Sequence, residues 1–156
     1  MISTNYLVIG SGIAGLTFAV KIAEKFPDRK VTIITKANED ESNTKYAQGG
    51  VAVVLDGKDS FNKHVEDTLI AGDGLCDEEV VKMVVTEGPK RLEELLLWGA
   101  NFDTDASGEF NLGKEGGHSE YRIVHHKDIT GYEIERALLK KVHELKNVRR
   151  IAKNDM

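Results

Sequence analysis

The feature that most constrains the fold is a glycine triplet near the N-terminus, Gly10-x-Gly12-x-x-Gly15, in the run YLVIGSGIAGLTFAVKIAEKF. The residues before it, Tyr6 to Ile9, are rich in β-formers, and apolar residues recur after it at helical spacing. A second run, Val31 to Thr35, has the continuous β-branched character of a buried parallel strand. The sequence therefore predicts a βαβ unit over about residues 5–36, with a tight glycine turn between strand and helix.

A glycine turn between a strand and a helix is typical of a dinucleotide-binding site. The free N–H groups and the dipole at a helix N-terminus bind a pyrophosphate, and glycines let the backbone come near it. The alternative is a tight turn that binds no ligand, because the glycine pattern alone is weak evidence for dinucleotide binding. In NAD-binding proteins an acidic residue ends the second strand, but this chain has Lys36 there. The lysine argues against NAD; it is suited to a phosphate or sugar, or is simply solvated.

Composition excludes several functional classes. The chain has 156 residues, of which 40% are hydrophobic and 30% charged, as expected for one globular domain. The net charge of -5 and the shortness of the basic run at Arg149-Arg150 argue against a nucleic-acid partner. No apolar run approaches the ~18 residues that a membrane span requires, and Met1 to Tyr6 does not resemble a signal peptide. We therefore expect a soluble, cytoplasmic protein with no membrane partner.

Further elements are predicted from periodicity and from capping residues. The segment of about residues 60–99 is expected to be helical. The helices expected there are Phe61 to Ala71, Glu78 to Glu87 behind an Asp77 N-cap, and Pro89 to Trp98. The run YAQGGVAVVL predicts a turn entering a strand, and DTDASGEFNL predicts a hairpin. A helix is predicted to begin at Thr130, and a strand at Val148.

Two groups of residues could suggest a metal, but neither has the required pattern. The run that begins at Asp103 imitates the first half of a calcium loop, but its twelfth position is Lys114 instead of a bidentate glutamate. The spacing of His118, His125, His126 and Asp128 matches no zinc pattern. The sequence therefore predicts no metal site.

Several runs, taken in order, resemble the L-aspartate oxidase branch of the succinate dehydrogenase and fumarate reductase flavoprotein family. They are VIGSGIAGLTFA, SNTKYAQGGVAVV, HVEDTLIAGDGLCD, WGANFD and KEGGHSEYRIVHHKDITG. The resemblance covers Tyr6 to Met156 and implies a Rossmann-like α/β FAD-binding domain with a parallel sheet. It also implies that 1–156 is the N-terminal part of that domain. The substrate-capping and C-terminal helical domains, with the catalytic arginine and the carboxylate-binding residues, are then absent, so the fragment is expected to be inactive alone.

The resemblance also implies where FAD binds. Ser11 to Ala14 would wrap the pyrophosphate, Lys36 would lie by the nucleotide, and a loop of about residues 42–52 would run along the flavin. Family members with a covalent flavin carry a histidine in the run H-T-x-x-A-[QE]-G-G, where this sequence has Asn43. A noncovalent FAD is therefore implied. The implied cofactor-binding residues are Gly10, Ser11, Gly12, Ile13, Ala14, Gly15, Lys36, Asn43, Thr44, Lys45, Tyr46, Ala47, Gln48, Gly49 and Gly50.

The run GKEGGHS, residues 113–119, opens a segment of about residues 113–131 that the resemblance places on the substrate side. Its glycine pair would also suit an ordinary turn, in which Glu115 is a solvated surface charge. By resemblance, Glu115 instead orients the substrate by facing its ammonium group. The dicarboxylate reductases carry an apolar residue there, because their substrate has no amine.

The reaction implied by the resemblance is oxidation of L-aspartate to iminoaspartate, with electrons passing to oxygen or fumarate. In bacteria this resembles the first step towards quinolinate and NAD, and it implies a contact with quinolinate synthase. No catalytic residue is expected within this chain. Two alternatives remain: a fragment of a fumarate reductase or succinate dehydrogenase flavoprotein, and a nucleotide-binding module without catalysis.

Overall fold

The structure is a computed structural model that describes residues 3–55 and 57–152. Its strands are β1 (Tyr6–Ile9), β2 (Val31–Ile34), β3 (Val51–Ala52), β4 (Ile123–Val124) and β5 (Val148–Ile151). Its helices are α1 (Ile13–Lys25), α2 (Phe61–Ala71), α3 (Glu78–Leu97) and α4 (Thr130–Glu144). The chain divides into two compact units: unit 1 holds the described parts of 1–48, 98–100 and 131–156, and unit 2 those of 49–97 and 101–130.

Unit 1 contains a three-stranded parallel sheet in the order β1-β2-β5. Tyr6 pairs with Val31 at one side of β2, and Val31 pairs with Val148 at the other. The central strand β2 is buried from Val31 to Ile33, as its unbroken β-branched run predicts. The predicted βαβ unit and the parallel α/β fold are confirmed.

Helix α1 packs on β1 and β2 through one apolar face. Leu16, Ala19, Val20 and Ala23 are buried and recur at the spacing of helical turns. Burying a leucine or valine side chain contributes roughly 1.5 to 3 kcal/mol, so this stripe fixes the helix and the glycine turn that precedes it.

Unit 2 combines the helix pair α2 and α3 with a short antiparallel ladder between β3 and β4. The predicted hairpin is confirmed: Thr104 and Phe110 form an antiparallel bridge, and the Asp105 carboxylate accepts a hydrogen bond from the Ser107 N–H at 2.8 Å. The predicted Asp77 cap is also confirmed, since its carboxylate accepts from the Val80 N–H at 3.1 Å. The core of this unit includes Val53, Val85, Leu92, Leu95, Phe102, Ile123 and Val124.

The prediction of two helices meeting at Pro89 is wrong, because α3 runs without interruption from Glu78 to Leu97 with Pro89 inside it. Proline lacks the N–H that would bond to the carbonyl four residues earlier, which usually ends or kinks a helix. The helix continues here because Val85 precedes the proline and Leu92 follows it on one buried face.

Apolar side chains are also exposed on the described residues. Leu7 and Ile9 of β1 are 55% and 81% exposed, while Val8 between them is buried. Leu97 at the end of α3 is 78% exposed. Among the helices of the described chain, none combines the length and the apolar character needed to span a bilayer.

Candidate functional site

The turn between β1 and α1 brings two backbone segments too close for a side chain. Gly10 has φ of +103°, a conformation that favours glycine. A Cβ added to Gly15 would lie 2.2 Å from the Gly10 carbonyl oxygen and 3.2 Å from Val8 Cγ1. The start of α1 therefore lies directly against the end of β1, as a dinucleotide-binding turn requires.

The N-terminus of α1 is built to receive negative charge from outside the helix. Its N-cap, Gly12, makes no side-chain cap, and its first turn contains no acidic residue. The N–H groups of a first helical turn have no intrahelical acceptor, and the helix dipole makes that end positive. One of these groups, the Ile13 N–H, donates to Thr44 Oγ1 at 3.0 Å. The turn thus fits a pyrophosphate.

A cleft of about 820 Å³ lies at this turn and at the carboxyl ends of β1 and β2. Its lining combines the glycine turn, the end of β2 and the loop that follows: Ile9, Gly10, Ser11, Gly12, Ile13, Ala14, Gly15, Ile34, Thr35, Lys36, Glu41, Ser42, Asn43, Thr44 and Tyr46. A smaller pocket of about 360 Å³ shares Ser11 and Thr35 with it and extends to Arg150 on β5. Ligands of open α/β sheets bind at such carboxyl ends.

Most of the predicted cofactor-binding residues of unit 1 line this cleft. Lys36, Asn43 and Tyr46 are exposed there. Lys45 does not line it; its Nζ pairs with the Asp40 carboxylate at 2.9 Å. Ala47 and Gln48 also lie outside the lining, and the roles of all these residues stay predictions.

The loop that follows β2 is held by the start of α4, and the sequence did not predict this contact. The Gly131 N–H donates to the Ala47 carbonyl oxygen at 2.9 Å. A Cβ at Gly131 would lie 1.9 Å from the Thr44 carbonyl oxygen and 2.8 Å from Ala47 Cβ. Only the Thr-Gly pair at the start of the predicted helix could have signalled this close approach.

In unit 2, Glu115 is exposed, and its carboxylate lies beside a predicted flavin-contacting glycine. Glu115 Oε1 is 3.7 Å from the position that a Cβ on Gly49 would occupy. None of the ion pairs among the described residues involves Glu115. The structure therefore presents an uncompensated carboxylate next to Gly49, available to a cationic group.

The segment that carries Glu115 is fastened to α2 by a buried charge network. The guanidinium of Arg122 is fully buried; its Nε and Nη2 each bond to the Asp59 carboxylate at 2.8 Å. Its Nη1 bonds to Asp67 Oδ2 at 2.6 Å, and the same oxygen accepts from the N–H and hydroxyl of Ser119 at 2.7 and 2.8 Å. Burial opposes ionisation of Asp67, but the bonds from Ser119 and Arg122 outweigh it and lower its pKa to about 2.

Comparison with known proteins decides the family. The profile of the family described as "FAD binding domain" matches residues 5–154 of this chain. The chain belongs to the FAD-binding domain family. The glycine turn, the open cleft and the acid-free helix N-terminus fit that cofactor, so the FAD predicted from the sequence is confirmed.

Similar sequences and a similar solved structure come from named flavoproteins. The chain is 52% identical over 144 residues to "L-aspartate oxidase, chloroplastic" of Oryza sativa subsp. japonica, covering 92% of this chain and 22% of that protein. It is 44% identical over 149 residues to "L-aspartate oxidase" of Yersinia pestis, covering 93% of this chain and 27% of that one. Among solved structures, E. coli quinol fumarate reductase FrdA with the E245Q mutation matches with a TM-score of 0.90 at 31% identity, over 96% of this chain and 26% of that one.

These matches confirm the family resemblance seen in the motifs. The chain spans only about a quarter of the length of the curated relatives it matches. The cofactor-binding fold is therefore established for this chain, whereas the activity of a complete protein requires a separate argument.

Proposed function

We propose that this chain is part of the FAD-binding domain of an L-aspartate oxidase, which oxidises L-aspartate to iminoaspartate and passes electrons to oxygen or fumarate. Two relatives that bear the name L-aspartate oxidase share 52% and 44% of their aligned residues with it. The observation that carries the proposal is the exposed Glu115 carboxylate, which has no ion-pair partner among the described residues and lies beside Gly49.

Glu115 is the residue that would distinguish an amino acid from a plain dicarboxylate. The ammonium group of L-aspartate forms a charge-assisted hydrogen bond with a carboxylate, whereas succinate has no cationic group to form one. A carboxylate beside the flavin-contacting glycine therefore favours aspartate over succinate. Glu115 orients the substrate and is not proposed as the acid or base of the reaction.

The remaining site residues hold the cofactor. FAD supplies the two-electron acceptor that the reaction requires. The N–H groups at the start of α1 bind its pyrophosphate, and Lys36 at the end of β2 binds the nucleotide portion by its charge. Asn43 lines the cleft and offers no imidazole, so the cofactor is bound without a covalent link. No catalytic residue is assigned within this chain.

The wider setting follows from the same proposal. An L-aspartate oxidase with these properties would supply iminoaspartate for quinolinate and NAD synthesis, and quinolinate synthase would be its partner. We propose the cytoplasm as the location of that reaction.

The second candidate is a fumarate reductase or succinate dehydrogenase flavoprotein. The close structural match to the E. coli quinol fumarate reductase subunit favours it. Asn43, in the position of the flavin-linking histidine, and Glu115 argue against it. A noncatalytic nucleotide-binding module is disfavoured because the two reported relatives are both named as oxidases.

A direct comparison of electron donors distinguishes these functions. The full-length protein that contains this chain is loaded with FAD and mixed anaerobically with L-aspartate, D-aspartate or succinate, while flavin absorbance is recorded. L-aspartate should bleach the flavin, and the other two donors should not. Bleaching by succinate with none by L-aspartate would establish the second candidate instead.

A further inference from the structure

Glu135 is an acidic side chain that the fold buries. It lies in α4 and is 2% exposed. None of the ion pairs among residues 3–55 and 57–152 involves it. Removal from water raises its pKa, an effect that the Ser42 hydrogen bond and the charge of Lys45 oppose without cancelling. A buried acid of this kind costs stability, and α4 could pack with an apolar residue in its place.

Three hydrogen bonds connect this carboxyl group to the N-terminus of α1. The Ser42 hydroxyl donates to Glu135 Oε1 in a short hydrogen bond. The same hydroxyl oxygen accepts from the Thr44 N–H at 3.1 Å. Thr44 Oγ1 in turn accepts from the Ile13 N–H at 3.0 Å. Both hydroxyl groups are thereby held in fixed orientations, and the series runs from α4 to the glycine turn.

The residues in this series also line the cofactor cleft. Ile13, Ser42 and Thr44 all border the cleft of about 820 Å³, whereas Glu135 does not. Asn43 and the residues 46–48 of the same loop are exposed. The loop therefore depends on a few contacts for its conformation, and Glu135 provides one of them from outside the cleft.

We propose that Glu135 is a positioning residue for FAD: through Ser42 and Thr44 it holds loop 42–47 against the N-terminus of α1 in the conformation that receives the cofactor. Without it, the Ser42 hydroxyl loses its acceptor, and the loop must be ordered when FAD binds. Ordering that accompanies binding reduces the apparent affinity. This inference depends on FAD binding and not on the identity of the substrate.

The test is a set of FAD affinities measured on the full-length apoprotein by quenching of flavin fluorescence. Glu135→Ala and Ser42→Ala should each raise the Kd for FAD by roughly tenfold, the effect of losing one buried hydrogen bond. The double variant should resemble either single variant, because both changes interrupt the same series. Glu135→Gln keeps a polar group beside Ser42 and should stay within about threefold of the wild type.

Glu144→Ala is the matched control, since Glu144 is an exposed glutamate on the same helix. It should leave the Kd unchanged. The proposal is overturned if Glu135→Ala leaves the Kd unchanged while lowering thermal stability, since the carboxyl group is then merely structural. The proposal is also overturned if the fold-increases in Kd caused by Glu135→Ala and by Ser42→Ala multiply in the double variant, because the two residues then act independently. If Glu135→Ala does not fold, Ser42→Ala tests the proposal in its place. An unchanged Kd for FAD in that variant would show that the hydrogen bonds through Ser42 do not position the loop for FAD.

Discussion

The ionisation of Asp67 responds clearly to the fold. Its pKa falls from 3.8 to about 2, because hydrogen bonds from Ser119 and Arg122 outweigh the effect of burial. A carboxyl group whose pKa is lower in the folded state stabilises the fold above its unfolded pKa. That stability is lost as the pH falls from about 4 to about 2. The network that fastens the Glu115 segment should therefore be sensitive to acid.

Asp67→Asn in the full-length protein should lower the free energy of unfolding by about 2 kcal/mol at pH 7, because the charge that Arg122 requires is removed. Denaturant unfolding at pH 7 and near pH 3 measures this. The difference from the wild type should shrink at the lower pH, because the unfolded wild-type chain then binds a proton at Asp67 that the folded chain largely does not. Asp73→Asn, at an exposed position of unit 2, should change little. An equal loss from both substitutions at pH 7 would show that the network contributes nothing specific.

Asn43 leads to a second prediction at the residue scale. An amide side chain has no ring nitrogen to form a covalent bond with the flavin, so acid precipitation of the full-length holoprotein should release all of its yellow colour. The supernatant absorbance after precipitation measures this. Colour that remains with the denatured protein would contradict a noncovalent FAD.

At the scale of elements, the parts that the sequence predicted well are those with strong local patterns. The β-branched run of β2 and the apolar stripe of α1 each determine one element, and both lie where expected. Pro89 misled the prediction because tertiary packing of α3 overrides the local preference of proline. The contact of Gly131 with Thr44 joins segments far apart in sequence, and no periodicity reports such a contact.

That contact leads to a prediction for α4 and the loop it supports. A methyl group at Gly131 would lie 1.9 Å from the Thr44 carbonyl oxygen, so Gly131→Ala must displace loop 44–47. The Kd for FAD of the full-length protein should rise by on the order of tenfold or more. Gly57→Ala is the control, because nothing lies within 4 Å of a Cβ built there. An unchanged Kd for Gly131→Ala would show that the loop adapts freely.

At the scale of the whole molecule, the FAD-binding fold and the family were predictable from ordered motifs, because the glycine turn and the runs that follow it are local in sequence. The substrate could only be inferred. Glu115 and Gly49 are 66 positions apart, and only the folded chain places them together.

The role proposed for Glu115 is recognition of the substrate amine in an aspartate-oxidising flavoprotein. Glu115→Gln retains the shape of the side chain and removes its charge. A hydrogen bond to a charged group contributes roughly 1.5 to 3 kcal/mol, so kcat/KM for L-aspartate should fall on the order of ten- to a hundredfold. Fumarate reduction should change little, because fumarate has no ammonium group. Glu109→Gln, on the exposed hairpin, is the matched control and should alter neither activity.

The decisive measurement is therefore the pair of kcat/KM values, for L-aspartate oxidation and for fumarate reduction, in the full-length Glu115→Gln enzyme. Recognition of the amine by Glu115 predicts a large loss of kcat/KM for aspartate with fumarate reduction preserved. Equal losses in both would mean that Glu115 positions its loop or the flavin, and no loss in either would make it a surface charge. Each of these two results would contradict recognition of the amine.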